Sequence, residues 1–324
     1  MTMLSICIPT YKRSAMLAEL LESIIAEGIA DVEVIVTDDA SPDDTETVVA
    51  SFTDRMPTLK YLRHPQNVGM DRNFLAAVAA ASGEYVWLMG DDDKIEPGGI
   101  GHVLAALKRW PGVGGLTVGV IDYDPTMTEQ THVRAMPDTQ RIDSIGAVFG
   151  SMAELLGFMS ALIVKRREWL DLSADPEVAK FHNYYVQVYL LGKVIERTGS
   201  WGVVKEPCVS FRSGNDQLLA KHGWRKRLEI DVEAYEQLAE GLLAADPKSK
   251  RAMRKRIFNT HVIRRIQGAK DTPSGDEGAL KAAFYIGRRY YDMPRFWADA
   301  LPRLLVPSRL ASAARHAYRR VRSH

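Results

Sequence analysis

Gly83-Glu84-Tyr85-Val86-Trp87-Leu88-Met89-Gly90-Asp91-Asp92-Asp93 runs a strand-like apolar segment straight into three adjacent carboxylates. Like charges so close repel, and the tip of a buried strand offers little water to screen them. A hard divalent cation removes the conflict, because Mg²⁺ or Mn²⁺ prefers carboxylate oxygens and commonly keeps phosphate ligands as well. A second reading needs no ligand: acidic residues also cap and open helices, and residues 97–108 have helical spacing. On this stretch alone both readings stand.

The flanking sequence adds weight to the first. Residues 3–8 read as a fully buried strand that Pro9-Thr10 is expected to break, and residues 15–27 carry the apolar spacing of an amphipathic helix. A second buried run, 32–37, ends in Asp38-Asp39, and Ser41-Pro42-Asp43-Asp44 opens a helix reaching about residue 52. A strand at 59–63, an alanine-rich helix at 70–81 and a strand at 85–89 follow. Strands alternating with helices imply an α/β fold with parallel pairing and right-handed crossovers. Ligands of such sheets sit beyond the carboxyl ends of the strands. Pro9-Thr10-Tyr11, Asp38-Asp39 and Asp91-Asp92-Asp93 all lie at such ends and are expected to converge on one rim.

Further along, 113–120 reads as a strand, 149–164 is apolar and rich in small residues, 183–196 reads as a helix and 201–211 as a strand. Beyond Ser213-Gly214-Asn215 the spacing is helical over 224–245, 248–268 and 279–291. The expected division is a catalytic domain, 1–214, and a helical region, 215–324. Two cysteines, Cys7 and Cys208, give neither metal spacing nor a disulfide framework, which points to a reducing cytoplasm. No apolar run reaches the ~18 residues of a membrane span, and no secretory leader pattern opens the sequence.

Taken together, Ser5-Ile6-Cys7-Ile8-Pro9-Thr10-Tyr11, Val34-Ile35-Val36-Thr37-Asp38-Asp39-Ala40-Ser41-Pro42-Asp43, Asn67-Val68-Gly69 and the quoted strand with its acidic tip resemble glycosyltransferase family 2. The likeness is densest over residues 3–110. Arg212-Ser213-Gly214-Asn215-Asp216 is similar to abequosyltransferase-like enzymes of surface polysaccharide synthesis. The resemblance implies a GT-A fold, Rossmann-like and mostly parallel, and transfer of a sugar from a nucleotide diphosphate donor. It would place Pro9, Thr10 and Tyr11 on the nucleotide, with Tyr11 against the base. Asp39 would accept from the base, and Asp38 would orient the loop. Arg72 and Asn73 would reach base or phosphates. Asp91 would touch the ribose, Asp92 would bind Mn²⁺ or Mg²⁺ with Asp93 in reserve, and Arg212 would face the diphosphate or close a structural ion pair. Plainer roles also fit: Tyr11 could cover a sheet edge, Asp39 could cap a helix, and Arg72 could be an ordinary exposed arginine.

The chain departs from the family pattern twice. Gly90 stands where members commonly carry an acidic residue, two positions before the metal ligand. Where inverting members place an acidic pair for the general base, this chain reads Lys180-Phe181-His182-Asn183-Tyr184-Tyr185. His182 is the candidate base, since imidazole suits proton abstraction near neutral pH, although a histidine among aromatics is also a common structural residue. Asp175 and Glu177 are nearby alternatives. By resemblance the transfer inverts the sugar.

From Pro294 onward only Asp299 opposes Arg295, Arg303, Arg309, Arg315, Arg319, Arg320 and Arg322, with Phe296, Trp297, Leu301, Tyr318 and other apolar residues interleaved. This composition suits an anionic membrane surface, and a lipid-linked glycan acceptor on the inner leaflet would give the enzyme reason to be there. Basic residues confined to one end, without a recognition motif, argue against nucleic acid. The absence of Gly-x-Gly-x-x-Gly excludes a dinucleotide enzyme, and no phosphate-binding glycine loop follows the first strand. A non-catalytic binding protein on the same scaffold is the alternative that the missing acidic pair raises.

Overall fold

The structure, a computed structural model, describes residues 2–29 and 31–310 of the 324. The chain divides into two compact units, Met1–Asn215 and Asp216–His324.

The first unit is built on a mixed sheet of β1 (Leu4–Thr10), β2 (Glu33–Asp38), β3 (Leu59–Arg63), β4 (Tyr85–Leu88), β5 (Lys94–Ile95), β6 (Gly115–Tyr123), β7 (Gln130–Val133), β8 (Gln140–Ile142), β9 (Leu162–Lys165) and β10 (Trp201–Arg212). Its spatial order is β3-β2-β1-β4-β9-β6-β10-β5, with β7 on β6 and β8 on β10. Pairing is parallel from β3 through β4 and again between β6 and β10. The helices are α1 (Ser14–Ala26), α2 (Thr45–Ala50), α3 (Met70–Ala80), α4 (Gly99–Arg109), α5 (Ile145–Leu156), α6 (Arg166–Ser173) and α7 (Val186–Thr198). Strand side chains alternate in direction, so the sheet has two apolar faces. Leu4, Ile6 and Ile8 pack with Leu17, Leu20 and Leu21 of α1 and with Val103 of α4. Between them, Cys7 turns its thiol to the carbonyl oxygen of Ala77 on α3. This is an α/β fold of the GT-A kind.

β1 continues through Pro9 to Thr10, where the sequence led us to expect a break. Cys7 accepts from the Met89 N–H, and β4 stops pairing opposite Cys7. Two residues on, Pro9 faces the same side, where no neighbour needs the N–H it lacks. Other differences follow from weak local signals. The acidic tip leads into the short β5, antiparallel to β10, before α4 begins. The apolar stretch 149–164 divides into the end of α5, a single 3₁₀ turn and β9, which runs antiparallel between β4 and β6.

The second unit, in its described residues, is helical: α8 (Gln217–Leu243), α9 (Pro247–Ile257), α10 (Ile263–Lys270), α11 (Ala279–Tyr290) and α12 (Leu301–Leu305). It has its own core of Leu228, Val232, Phe258, Val262, Ile266 and Ile286, among others. No described helix is long and apolar enough to cross a membrane. Arg315, Tyr318, Arg319, Arg320 and Arg322 of the basic tail lie outside the described residues.

Candidate functional site

The parallel register of β1 with β2 and β4 brings Thr10, Asp38 and the segment after Leu88 to one edge of the sheet. Thr10 donates its hydroxyl to Asp91 Oδ2 at 2.7 Å. Arg13, just before α1, donates Nη1 to Asp91 Oδ1 at 2.8 Å and lies 3.1 Å from Asp92 Oδ2. Asp93 turns inward. Its Oδ2 accepts from the Ser160 hydroxyl and its Oδ1 from the Arg212 N–H at 3.1 Å. Burial, reinforced by the Asp92 charge, pushes the Asp93 carboxyl up to about 8. The repulsion read from the sequence is therefore relieved in two ways. A guanidinium bridges the first two carboxylates, and the third is held in its neutral form near pH 7.

Gly90 has a steric reason to differ from the family pattern. A Cβ there would stand 3.2 Å from Asp92 Oδ1, Asp93 Oδ2 and Ser160 Oγ. Its N–H is held by Ser160 Oγ at 2.9 Å, so any side chain there would need these neighbours to give by a few tenths of an ångström.

Arg212 lies under the acidic tip. Nε donates to the Asp92 carbonyl at 2.9 Å, Nη1 to the Pro125 carbonyl at 2.9 Å and Nη2 to Glu19 Oε2 at 2.7 Å. Each nitrogen of the fork thus holds a protein acceptor, with only 5% of the side chain exposed. Of the two roles considered, the structural one fits this placement.

At the neighbouring strand end, Asp38 accepts from the Ser41 N–H at 2.9 Å and from Tyr61 Oη at 2.6 Å, with Arg63 Nη1 at 3.1 Å. Asp39 takes the Val68 and Gly69 N–H groups on its two oxygens, at 2.6 and 3.0 Å. Gly69, at φ 88°, lets the chain turn into α3 there. Across the gap, the Lys12 N–H donates to Ser41 Oγ at 3.0 Å, and Lys12 Nζ lies over the Tyr11 ring at 4.8 Å. Lys12 and Ala40 both have positive φ, 58° and 57°. Non-glycine residues held there cost about 1–3 kcal/mol each, and such strain concentrates at ligand sites.

Of the two residues expected to reach base or phosphates, one is buried and the other exposed. Asn73 is buried and donates to the carbonyl oxygens of Thr10 and Thr37, at 3.4 and 3.0 Å, so it ties β1 to β2 rather than opening onto the rim. Arg72 beside it is exposed. His182 is exposed in the turn before α7. Asp71, in the first turn of α3, is near enough to the His182 turn for His182 and the Tyr184 backbone to lower its carboxyl. Burial raises the Asp71 carboxyl, against both of those influences. Asp71, Arg13 and Ser160 were not singled out from the sequence. Arg13 had a signal, its position two residues past Tyr11. Ser160 had none inside its apolar stretch.

Among the described residues no three His, Cys, Asp or Glu side chains are grouped to hold a metal ion. Asp92 nevertheless fits as a single carboxylate ligand. It is 15% exposed, and no described residue hydrogen-bonds to its Oδ1. A divalent ion held this way takes its remaining ligands from phosphate and water. Asp93 fits less well, because it turns inward to Ser160 and the Arg212 amide and burial pushes its carboxyl up toward the neutral form.

The sequence model of the family described as glycosyl transferase family 2 matches residues 5–162. Abequosyltransferase RfbV of Salmonella typhimurium is 29% identical over 269 residues, 77% of this chain and 78% of that protein. The GalNAc(5)-diNAcBac-PP-undecaprenol beta-1,3-glucosyltransferase of Campylobacter jejuni is 33% identical over 105 residues, 32% of this chain and about a third of that protein's length, 34%. Among solved structures, S. aureus TarS 1-349 in complex with UDP-GlcNAc superposes with a TM-score of 0.60 at 15% identity, covering 91% of this chain and 89% of that one. At that identity the likeness is one of fold. Family model, relatives and architecture agree: residues 5–162 match glycosyltransferase family 2, and the chain is a glycosyltransferase of GT-A fold.

Proposed function

We propose that this glycosyltransferase moves a sugar, with inversion, from a nucleotide diphosphate donor to a hydroxyl of a lipid-linked glycan in surface polysaccharide synthesis. One observation carries the reading: at the joined ends of β1 and β4, Asp92 keeps an oxygen to which no described residue hydrogen-bonds, beside the Arg13 guanidinium. An anionic diphosphate meets a cation there and a carboxylate suited to Mn²⁺ or Mg²⁺. The polysaccharide acceptor is supported by the likeness to the abequosyltransferase, and its lipid link by the undecaprenol in the name of the Campylobacter relative.

In this reading Tyr11 offers its ring to the base. Each carboxylate oxygen can accept more than one bond, so Asp39 can take a base N–H while keeping the Val68 and Gly69 amides. Asp91, fixed by Thr10 and Arg13, receives the ribose hydroxyls. Asp92 would hold the divalent ion, whose Lewis acidity offsets charge building on the departing diphosphate. The acceptor oxygen attacks the anomeric carbon from the face opposite the leaving group and gives its proton to His182. The C–O bond to the diphosphate breaks as the new glycosidic bond forms. The enzyme would work in the cytoplasm at the inner face of the cell membrane, with residues 1–214 as its catalytic domain.

The test is release of nucleoside diphosphate from a panel of UDP, GDP, CDP and dTDP sugars with Mn²⁺. At least one donor should leak, and Asp92→Asn should cut the leak by about 100-fold or more, the scale of a lost transition-state charge contact. No release from any donor, or equal release by the variant, would overturn the reading.

A further inference from the structure

α11 is apolar on two sides. Ala279, Ala282, Ala283, Ile286 and Tyr290 face the core of the helical unit. A second stripe, roughly 110° round the helix from the first at about 100° per residue, is Leu280, Phe284, Gly287 and Tyr291 at four-, three- and four-residue steps. Leu280 is 72% exposed, Phe284 69%, Tyr291 65% and the neighbouring Trp297 57%. Single exposed apolar residues need no explanation, but a contiguous patch of large ones marks a contact surface. Between α11 and the segment leading into α12 runs an open groove of about 470 Å³, lined by Phe284, Gly287, Tyr291, Phe296, Trp297 and Leu301. The Trp297 N–H is already satisfied by the Tyr291 carbonyl at 2.8 Å, so the indole carries no unmet donor into an apolar layer.

The charges around this stripe choose its partner. Residues 279–310 hold six basic residues and two acidic ones. Asp299 is engaged by Arg295 and Arg303. Lys281, Arg288 and Arg309 are exposed and join no ion pair among the described residues, and Arg288 lies over the Phe284 ring at 5.8 Å. Two copies meeting through this face would press like charges together. An anionic bilayer supplies what both components need: acyl chains for the aromatic and leucine side chains, and phosphate headgroups for the arginines.

We propose that the stripe Leu280–Phe284–Tyr291 with Trp297 is a docking face for an anionic lipid surface. This deepens the proposed work at the membrane by assigning it to a surface within the described helical unit, independent of the tail beyond Leu310.

The experiment is flotation of the full chain with phosphatidylcholine vesicles, with and without about a third phosphatidylglycerol, at low and high salt. Wild type should float with the anionic vesicles and not with the neutral ones, and salt should weaken the binding. Leu280→Ser with Phe284→Ser should lower vesicle affinity on the order of tenfold, as should Lys281→Glu with Arg288→Glu. These positions are exposed, so unchanged melting is expected, and donor release should stay at the wild-type rate. Wild type floating with neither vesicle, or variants floating as well as wild type, would overturn the proposal. A wild-type dimer turned monomeric by Leu280→Ser and Phe284→Ser would also overturn it, by making the face a self-interface. The two readings fail separately: flotation without donor release sinks the transferase mechanism alone, and donor release without flotation sinks the docking face alone.

Discussion

Arg13 stands where the acidic tip needs a positive charge. Its guanidinium bridges Asp91 and Asp92, so a divalent ion arriving at Asp92 must displace it or share the carboxylate. Arg13→Gln should therefore tighten donor-free Mn²⁺ binding by about tenfold, since removing a competing charge worth about one pKa unit changes affinity by that factor. Titration followed by the Mn²⁺ spin-resonance signal reads it directly, and unchanged affinity would mean that Arg13 and the metal do not compete. The same substitution leaves Asp91 buried beside Asp92 without its partner. Urea unfolding should register a loss of about 2–4 kcal/mol, the cost of breaking a largely buried pair. The sequence makes Asp91 and Asp92 legible as a site because three adjacent acids demand a partner. It does not distinguish Asp93, whose inward turn depends on Ser160 and on the Arg212 amide, residues 67 and 119 positions away.

Glu33 opens β2 with its side chain almost wholly buried, and its bonds join three strands and a turn. Burial would raise its carboxyl, but Lys60, Ser5 and Ser82 outweigh that and hold it at about 2. Its folded value lies below its ordinary 4.5. The stabilisation is therefore full above that pH and drains away as pH falls toward 2. Glu33→Gln should cost about 2 kcal/mol at neutral pH, allowing for solvent screening around the half-exposed Lys60, and almost nothing at the acid end. Chemical denaturation across that range checks the sign; a cost that grows on acidification would contradict it. At the turn before α7, His182→Ala should lower kcat by about 10²–10⁴ with little change in donor KM if it takes the acceptor proton. A change in KM alone would assign it to binding instead. β1, β2 and β4 are legible in the sequence because each is a short run buried along nearly its whole length. β7, exposed along its length, has no pattern of its own and exists through its register with β6. β9 is hidden in an apolar stretch where helix and strand share one composition.

At the scale of the whole chain, the change from alternating strands and helices to helices alone is visible in the sequence. The acidic tip, the Asp38-Asp39 loop and Arg13 all belong to the first unit. Residues 1–215 expressed alone should keep nucleoside diphosphate affinity within about threefold of the full chain, a difference of less than ~1 kcal/mol. Loss of binding in a folded fragment would mean that the helical unit contributes to the donor pocket. The central claim is that Asp92 joins a divalent ion to the donor's diphosphate. Thermal unfolding of wild type and Asp92→Ala with UDP, GDP, CDP or dTDP, each with and without Mn²⁺, tests it most directly. Wild type should gain about 2.7 kcal/mol of apparent stability at a hundredfold excess of at least one nucleotide over its Kd, only with Mn²⁺ present, and Asp92→Ala should gain nothing. Equal shifts in both proteins, or a wild-type shift indifferent to the metal, would contradict it.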